Sequence, residues 1–312
     1  RVVADLESAP FLPVAPMELL ESAAERPSLD SFFQLADGVW SGDTDRDVRE
    51  GWEIEPGAAG WVVASGGQGY CRWYASTRRR LRAEHAERWA ARVHRSAGFE
   101  YPRVAGGNLC GRMLLPRTAE TAVPVPSSHP TVALAGVVSV LPKDGTAPGR
   151  LAEAVAMFNS RIGALWLRTL SSGLNFNPGY AARIPLGPSA PDGPLIDQVQ
   201  QAVQLKRQLA SFELTGDDFD PQTLAPAGSH SLGDFLRQRL GQRLELSASL
   251  LEVESRVDAA LGAQLGPPAG SMAALDAELG LPAAAHPTAT SSSAVGTSAD
   301  AGQAPSDSGR PA

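Results

Sequence analysis

Lysine is almost missing from this chain. Of the 27 basic residues among 312, only Lys143 and Lys206 are lysines and the rest are arginines. With 31 glycines, 25 prolines and abundant alanine, this reflects a GC-rich coding bias more than a function. Cysteine is equally scarce: Cys71 and Cys110 make no Cys-x-x-Cys pair, which excludes a disulfide framework and a zinc–thiolate site and points to a reduced, cytoplasmic setting. Long apolar runs are lacking too. The longest uncharged stretch, 121–142, contains Pro124, Pro126, Pro130 and Pro142, and its apolar part falls far short of the roughly 20 residues a membrane span needs. There is no signal-peptide core or transit-peptide composition. With Arg1 rather than Met at its start, the chain reads as a fragment or the back half of something longer.

Several chemistries are excluded by missing motifs. Neither lysine follows a glycine, so there is no phosphate-binding Gly-x-x-x-x-Gly-Lys loop. Gly66-Gly67-Gln68-Gly69 lacks the spacing of a dinucleotide turn. The five histidines (85, 94, 129, 230 and 286) form no His-Glu-x-x-His, and no Gly-x-Ser-x-Gly elbow occurs. His85 lies on an apolar helical stripe, where packing is the expected role.

What is present is a foldable chain, 43% apolar, with a formal net charge of -7. Residues 1–29 form a proline-punctuated connector with a short helical pattern through Met17, Leu20 and Ala24. Residues 37–75 are glycine-punctuated strand-and-turn sequence holding four of the six tryptophans (Trp40, Trp52, Trp61 and Trp73). Leu81, His85, Trp89 and Val93 recur every four residues and predict one helix over 76–97. Strands return over 99–142, with Val132–Leu141 the best β-branched run. Apolar spacing by threes and fours predicts a helix from Leu151 to Leu170, stopped near Gly173. After a linker at 187–194, two helical segments are expected at about 195–212 and 231–262, the second capped by Ser231 with Asp234. From Ala283 on, 24 of 30 residues are Ala, Ser, Pro, Gly or Thr, a composition too poor in large apolar groups to offset ordering entropy, so 283–312 is expected to be a disordered tail. The fold class is therefore α+β: a glycine-rich mixed β/α domain over 30–188, then a helical region over 195–282.

Charge is concentrated in the middle. Residues 72–117 hold eleven arginines against Glu84, Glu87 and Glu100, leaving sixteen basic against thirty-one acidic residues elsewhere. A local positive excess on an acidic protein is what a polyanion site requires. The candidate DNA-binding residues are Arg72, Trp73, Tyr74, Arg78, Arg79, Arg80, Arg82, Arg103 and Arg112, with Arg103 and Arg112 suited to bidentate base contacts. The competing reading is an arginine-rich solvated helix face. Asn177-Pro178-Gly179-Tyr180 has the outline of the Asn-Pro-Pro-Tyr motif of amino-directed DNA methyltransferases. It departs at Gly179, follows a helix and lacks an upstream cofactor turn, so it reads as a turn.

The ordered motifs resemble a known family. Asp37-Gly-Val-Trp-Ser-Gly-Asp-Thr-Asp-Arg46, Gly51-Trp-Glu-Ile54 and Ser65-Gly-Gly-Gln-Gly-Tyr-Cys-Arg-Trp-Tyr74 are similar to successive blocks in the target-recognition region of adenine-specific DNA methyltransferases. The relatives in question are the BREX and phage-growth-limitation type and related single-chain restriction-modification enzymes. Phe99-Glu-Tyr-Pro-Arg103 and Gly111-Arg-Met-Leu-Leu-Pro116 continue the series. So do Met157-Phe-Asn-Ser-Arg-Ile162, Leu174-Asn-Phe-Asn-Pro-Gly-Tyr180 with Arg183-Ile-Pro-Leu186, Leu209-Ala-Ser-Phe-Glu213 and Asp217-Asp-Phe219. The order runs over about residues 30–260. Departures include Ser65 for a lysine, Ala75-Ser76 for Gly-Asn, and Tyr180 for an aspartate.

The resemblance implies recognition of a short double-stranded DNA sequence for N6-adenine methylation in phage defence. No catalytic, cofactor or metal residues would lie in this chain. S-adenosylmethionine would bind a methyltransferase catalytic domain outside it, in a full-length enzyme or as a partner of a stand-alone specificity-like protein, with other defence-system subunits as further partners. The alternative from another class is a helical interaction subunit that reads no DNA.

Overall fold

Short alternating segments build two four-stranded sheets, and longer three-to-four-spaced segments supply helices that cover one of them. The computed structural model describes residues 25–55, 58–66, 70–90, 98–104, 110–114, 131–171, 175–191, 193–219, 221 and 231–266. The expected disordered tail, the stop at Gly173 and most of the expected N-terminal connector lie outside them. In chain order the elements are α1 (Leu29–Phe32), β1 (Phe33–Asp37), α2 (Thr44–Asp47), β2 (Val48–Glu50), a 3-10 turn (Gly51–Glu53), β3 (Trp61–Ser65), β4 (Arg79–Arg82), α3 (Ala83–Ala90), β5 (Gly98–Pro102), β6 (Arg112–Leu114), β7 (Val132–Ala133) and β8 (Val137–Pro142). Helices α4 (Pro148–Asn159), α5 (Arg161–Leu170), α6 (Pro178–Ala181), α7 (Gly193–Ala210) and α8 (Leu232–Leu265) follow. The fold is mixed α+β.

The first sheet has the order β1-β8-β5-β6 and is antiparallel throughout, with Phe33 opposite Pro142, Phe99 opposite Val140 and Glu100 opposite Arg112. The second, β2-β4-β3-β7, is antiparallel except for the parallel β3–β7 edge. Period-2 alternation lets β8 serve two cores. Val138 and Val140 face α4, α5, α7 and α8, while Val137 and Leu141 face the second sheet. The larger core draws on both sides of the 187–194 segment: Phe33, Phe99, Tyr101 and Phe158 meet Leu195, Val199, Val257 and Leu261. Phe99 and Phe158 pack edge to face with centroids 4.9 Å apart. The helical region thus shares one core with the first sheet.

Three segments differ from their sequence expectation. Residues 79–82, expected within a helix over 76–97, form the middle strand β4, because Leu81 pairs with both Val48 and Val62 and is fully buried; pairing overrides local periodicity. The helix expected over 151–170 breaks at Ser160. The Ser160 hydroxyl accepts from Gly163 N at 3.0 Å, and a Cβ on Gly163 would lie 1.7 Å from the Met157 carbonyl oxygen, so the chain restarts there with a fresh N-cap. The run 132–141 is two strands, divided by a turn in which Gly136 has φ +91°. The two later helices, α7 and α8, keep close to their expected ranges. Ser231 accepts from Asp234 N at 3.1 Å and starts α8, and Gly266 at φ +50° ends it. Among the described residues, no helix is long and apolar enough to cross a membrane.

Candidate nucleic-acid interface

Among the described residues, most arginines of this segment meet acids of the same chain. Arg80 holds Asp217 with two hydrogen bonds of 2.9 and 3.0 Å. Arg79 pairs with Glu50 at 3.1 Å across β4–β2. Arg82 lies 3.8 Å from buried Asp47 and stacks on the Trp61 ring, 4.9 Å from its centroid. Arg78 reaches the Thr215 hydroxyl at 3.4 Å. Arg112, suited by sequence to base readout, is buried on β6 and donates its Nε to Glu100, which also accepts from the Ser65 hydroxyl on β3. This buried triad joins the two sheets, and an arginine committed to it reaches no groove. Three of these partners, Asp217, Glu50 and Asp47, lie outside the segment, so the local charge count could not anticipate them.

Trp73 also lies inside. It is fully buried, with left-handed backbone (φ 65°), a conformation uncommon outside glycine and costing of order 1–3 kcal/mol. Its surroundings fix it there. Trp73 N donates to Gly111 O at 2.8 Å, its carbonyl accepts from Met113 N at 2.9 Å, and its indole donates to Glu254 at 2.6 Å. Arg72 donates to the other Glu254 oxygen at 2.9 Å and to the Asn159 carbonyl. The Asn159 amide closes the junction, accepting from Gly111 N at 2.9 Å and donating to Gly111 O at 2.7 Å. Tyr74 donates to Asp218 at 2.5 Å, whose own N–H donates to the Ser76 hydroxyl at 3.0 Å. The motif blocks around residues 72–74, 111–112, 159–160 and 217–218 therefore meet one another, directly or through one neighbour, as a structural junction.

A different set of side chains faces outward together. Gly38 N donates to Val137 O, Val39 N to Ala133 O, and Arg103 N to Gly136 O, so the ends of β1 and β5 both close on the turn between β7 and β8. A Cβ on Gly38 would lie 2.1 Å from the Leu134 carbonyl oxygen; only glycine permits that approach. Phe176 N donates to Arg103 O at 2.7 Å, bringing the Asn177–Tyr180 turn alongside. At this end of the first sheet, Trp40 is 80% exposed and Tyr180 41%. The half-exposed Arg103 guanidinium is held between Asn177 Oδ1 at 3.2 Å and Asp37 at 3.4 Å. Arg183 is exposed just beyond α6. Sequence reading selected Arg103 but not Trp40, Asn177 or Tyr180. The glycines flanking Trp40 were the available signal that it sits on a turn.

Burial pushes the Cys110 thiol up to about 11 and raises Cys71 as well, so both stay protonated near neutrality. Among the described residues, Asp47, Glu84 and His85 bring ligand atoms within 4.8 Å of one another. Arg46, however, donates to both Asp47 oxygens at 2.8 and 3.0 Å, and His85 Nε2 lies 3.0 Å from Asp47. The Arg46 hydrogen bonds hold the Asp47 carboxyl below its ordinary range. That arrangement is an ion-paired structural carboxylate. No family model matches the chain, and no curated protein matches it either.

Proposed function

We propose that the chain is the DNA target-recognition part of an adenine-specific DNA methyltransferase in cytoplasmic phage defence or restriction-modification. The methyl donor, S-adenosylmethionine, would be bound by a catalytic domain outside this chain. The observation that supports the reading most is the outward cluster of Trp40, Arg103, Asn177 and Tyr180, drawn from three separated motif blocks to one end of the first sheet. Arginine offers two parallel donors to a guanine edge, the asparagine amide offers a donor and an acceptor, and exposed aromatic rings stack or wedge against bases. Asp37 and Asn177 would aim the Arg103 guanidinium, and the long 3.4 Å contact to Asp37 is one that a base edge can replace. Arg183 and Arg78 would contact phosphates, fixing register without reading sequence.

The test is selection from a random duplex library, followed by fluorescence anisotropy across a salt series. The expected result is enrichment of a short motif. Arg103→Ala should relax specificity at one position by about 1–3 kcal/mol, with nonspecific affinity nearly intact. No enrichment, and binding insensitive to Trp40→Ala and Arg103→Ala, would remove the reading. A second reading, an interaction subunit that reads no DNA, is favoured by the internal neutralisation of Arg79, Arg80 and Arg112. It expects no salt-dependent duplex binding at all.

A further inference from the structure

Helix α8 is longer than the body that supports it. Over its second half Val253, Val257, Leu261 and Leu265 are buried against the other helices. Over its first half Leu232, Leu236, Leu240 and Leu244, spaced every four residues, are 71%, 56%, 59% and 60% exposed, and Leu251 is 40% exposed. At about 100° per residue, leucines four apart form one slowly winding stripe, and Leu232 and Leu236 lie over the same face that Val257 and Leu261 bury lower down. Four consecutive large aliphatic side chains left in water are a contiguous apolar surface of the kind that marks an interaction site.

The charges beside the stripe select its occupant. Arg239 and Arg243 border one side; Arg237, on the other, is already paired with Asp234, so the positive border is the Arg239–Arg243 side. The acids of this half, Asp234 and Glu245, lie on the far side of the helix at the same angular spacing. Arg239 is stacked on Phe212, its guanidinium carbon 3.9 Å from the ring centroid, and donates to Gln242 at 3.1 Å, so one of the border charges is fixed in place. A second copy laid antiparallel on the stripe would set Arg239 and Arg243 against their own counterparts, which repels. We infer that the first half of α8 is a docking surface for an acidic amphipathic helix of a different protein, with apolar residues at four-residue spacing flanked by glutamate or aspartate. This mode is helix against helix, with leucine anchors supplying contact and the arginine border supplying choice of partner. It is independent of the DNA reading, since the stripe shares no residue with the Trp40–Arg103–Tyr180 cluster.

The experiment uses the full chain and a fluorescein-labelled designed peptide, helical, with leucine every fourth residue and glutamates on both borders. Controls are a scrambled peptide of the same composition and a version with lysines for the glutamates. The expected result is saturable binding of the acidic peptide over both controls. Leu236→Ser with Leu240→Ser should weaken it by about tenfold or more. Both leucines are exposed, so unchanged thermal melting should accompany that loss. Arg239→Glu with Arg243→Glu should reverse the preference toward the lysine peptide. Equal binding of all three peptides, or no binding of any, overturns the proposal. So does concentration-dependent dimerisation abolished by the serine variant, because it would make a second copy the occupant.

Discussion

The indole of Trp73 donates to Glu254 across 181 positions of sequence at 2.6 Å. The same carboxylate receives Arg72 at 2.9 Å, so one acid on α8 holds a tryptophan in left-handed backbone and an arginine beside it. Glu254→Ala should cost about 2–4 kcal/mol, because a buried indole and a part-buried guanidinium lose their acceptor at once. Glu254→Gln keeps one acceptor oxygen for the indole and should cost less. Urea denaturation measures both; an alanine variant as stable as the parent would show that Trp73 is held by its backbone bonds alone.

Arg80 and Arg78 are near neighbours with opposite expected behaviour. Arg80→Ala strands Asp217, which otherwise receives two guanidinium bonds and the Thr77 hydroxyl, and should lower the melting temperature by several degrees. Arg78→Ala should leave melting within about 1 °C, since exposed sites change stability little. Should DNA binding be found, Arg78→Ala should lower the log–log salt slope by about one. Thermal melting of the two variants decides the first pair of outcomes and a salt series the last.

Breaking the Glu100–Arg112 pair on one side should hurt more than removing both charges. Arg112→Met leaves Glu100 buried with, among the described residues, the Ser65 hydroxyl as its remaining side-chain partner and should cost about 3–5 kcal/mol. Adding Glu100→Gln should recover a large part of that loss. A double-mutant cycle tests this, and strict additivity of the two losses would contradict it.

Asp258 supplies a pH dependence. It accepts from Arg161 N at 3.0 Å, and burial raises its carboxyl above the ordinary range. The folded state therefore holds the proton more tightly than the unfolded chain. The contribution of Asp258 to stability is greatest below the usual aspartate range and declines as pH rises through its raised value. Asp258→Asn keeps an acceptor for Arg161 N and carries no charge. It should flatten that decline and be at least as stable as the parent at pH 7. Denaturation midpoints measured from pH 4 to 7 would show a parallel pair of curves if the assignment is mistaken.

Helices α7 and α8 were legible because their apolar spacing, caps and terminal glycine are local signals. Strand β4 was not. Its only buried apolar side chain is Leu81, and that residue also fits a four-residue stripe with His85, so local pattern alone favours a helix. The break at Ser160 depends on Gly163 approaching the Met157 carbonyl, a contact that no periodicity records. The partners of several arginines in the basic segment were hidden for a related reason. Arg72, Arg79 and Arg80 meet acids 182, 29 and 137 positions away, and a running charge count cannot see pairs made by folding. Arg103 was visible because it belongs to the arginine-rich segment. Its neighbours Trp40 and Tyr180 became visible only when three loops were brought to one sheet end.

Residues 132–142 enter both sheets, through β7 in one and β8 in the other, and β8 is also the strand that β1 must wait for. During synthesis β1 is consequently a strand with no partner, and neither sheet can close until this stretch has left the ribosome. The interior then stays open on its helical side until the end of α8 arrives more than a hundred residues later. Until then the apolar side chains of that interior lack their cover, the kind of exposure that favours aggregation or chaperone binding. Truncations placed in the proline-rich 187–194 segment would remove the lid from the same interior that they were meant to isolate.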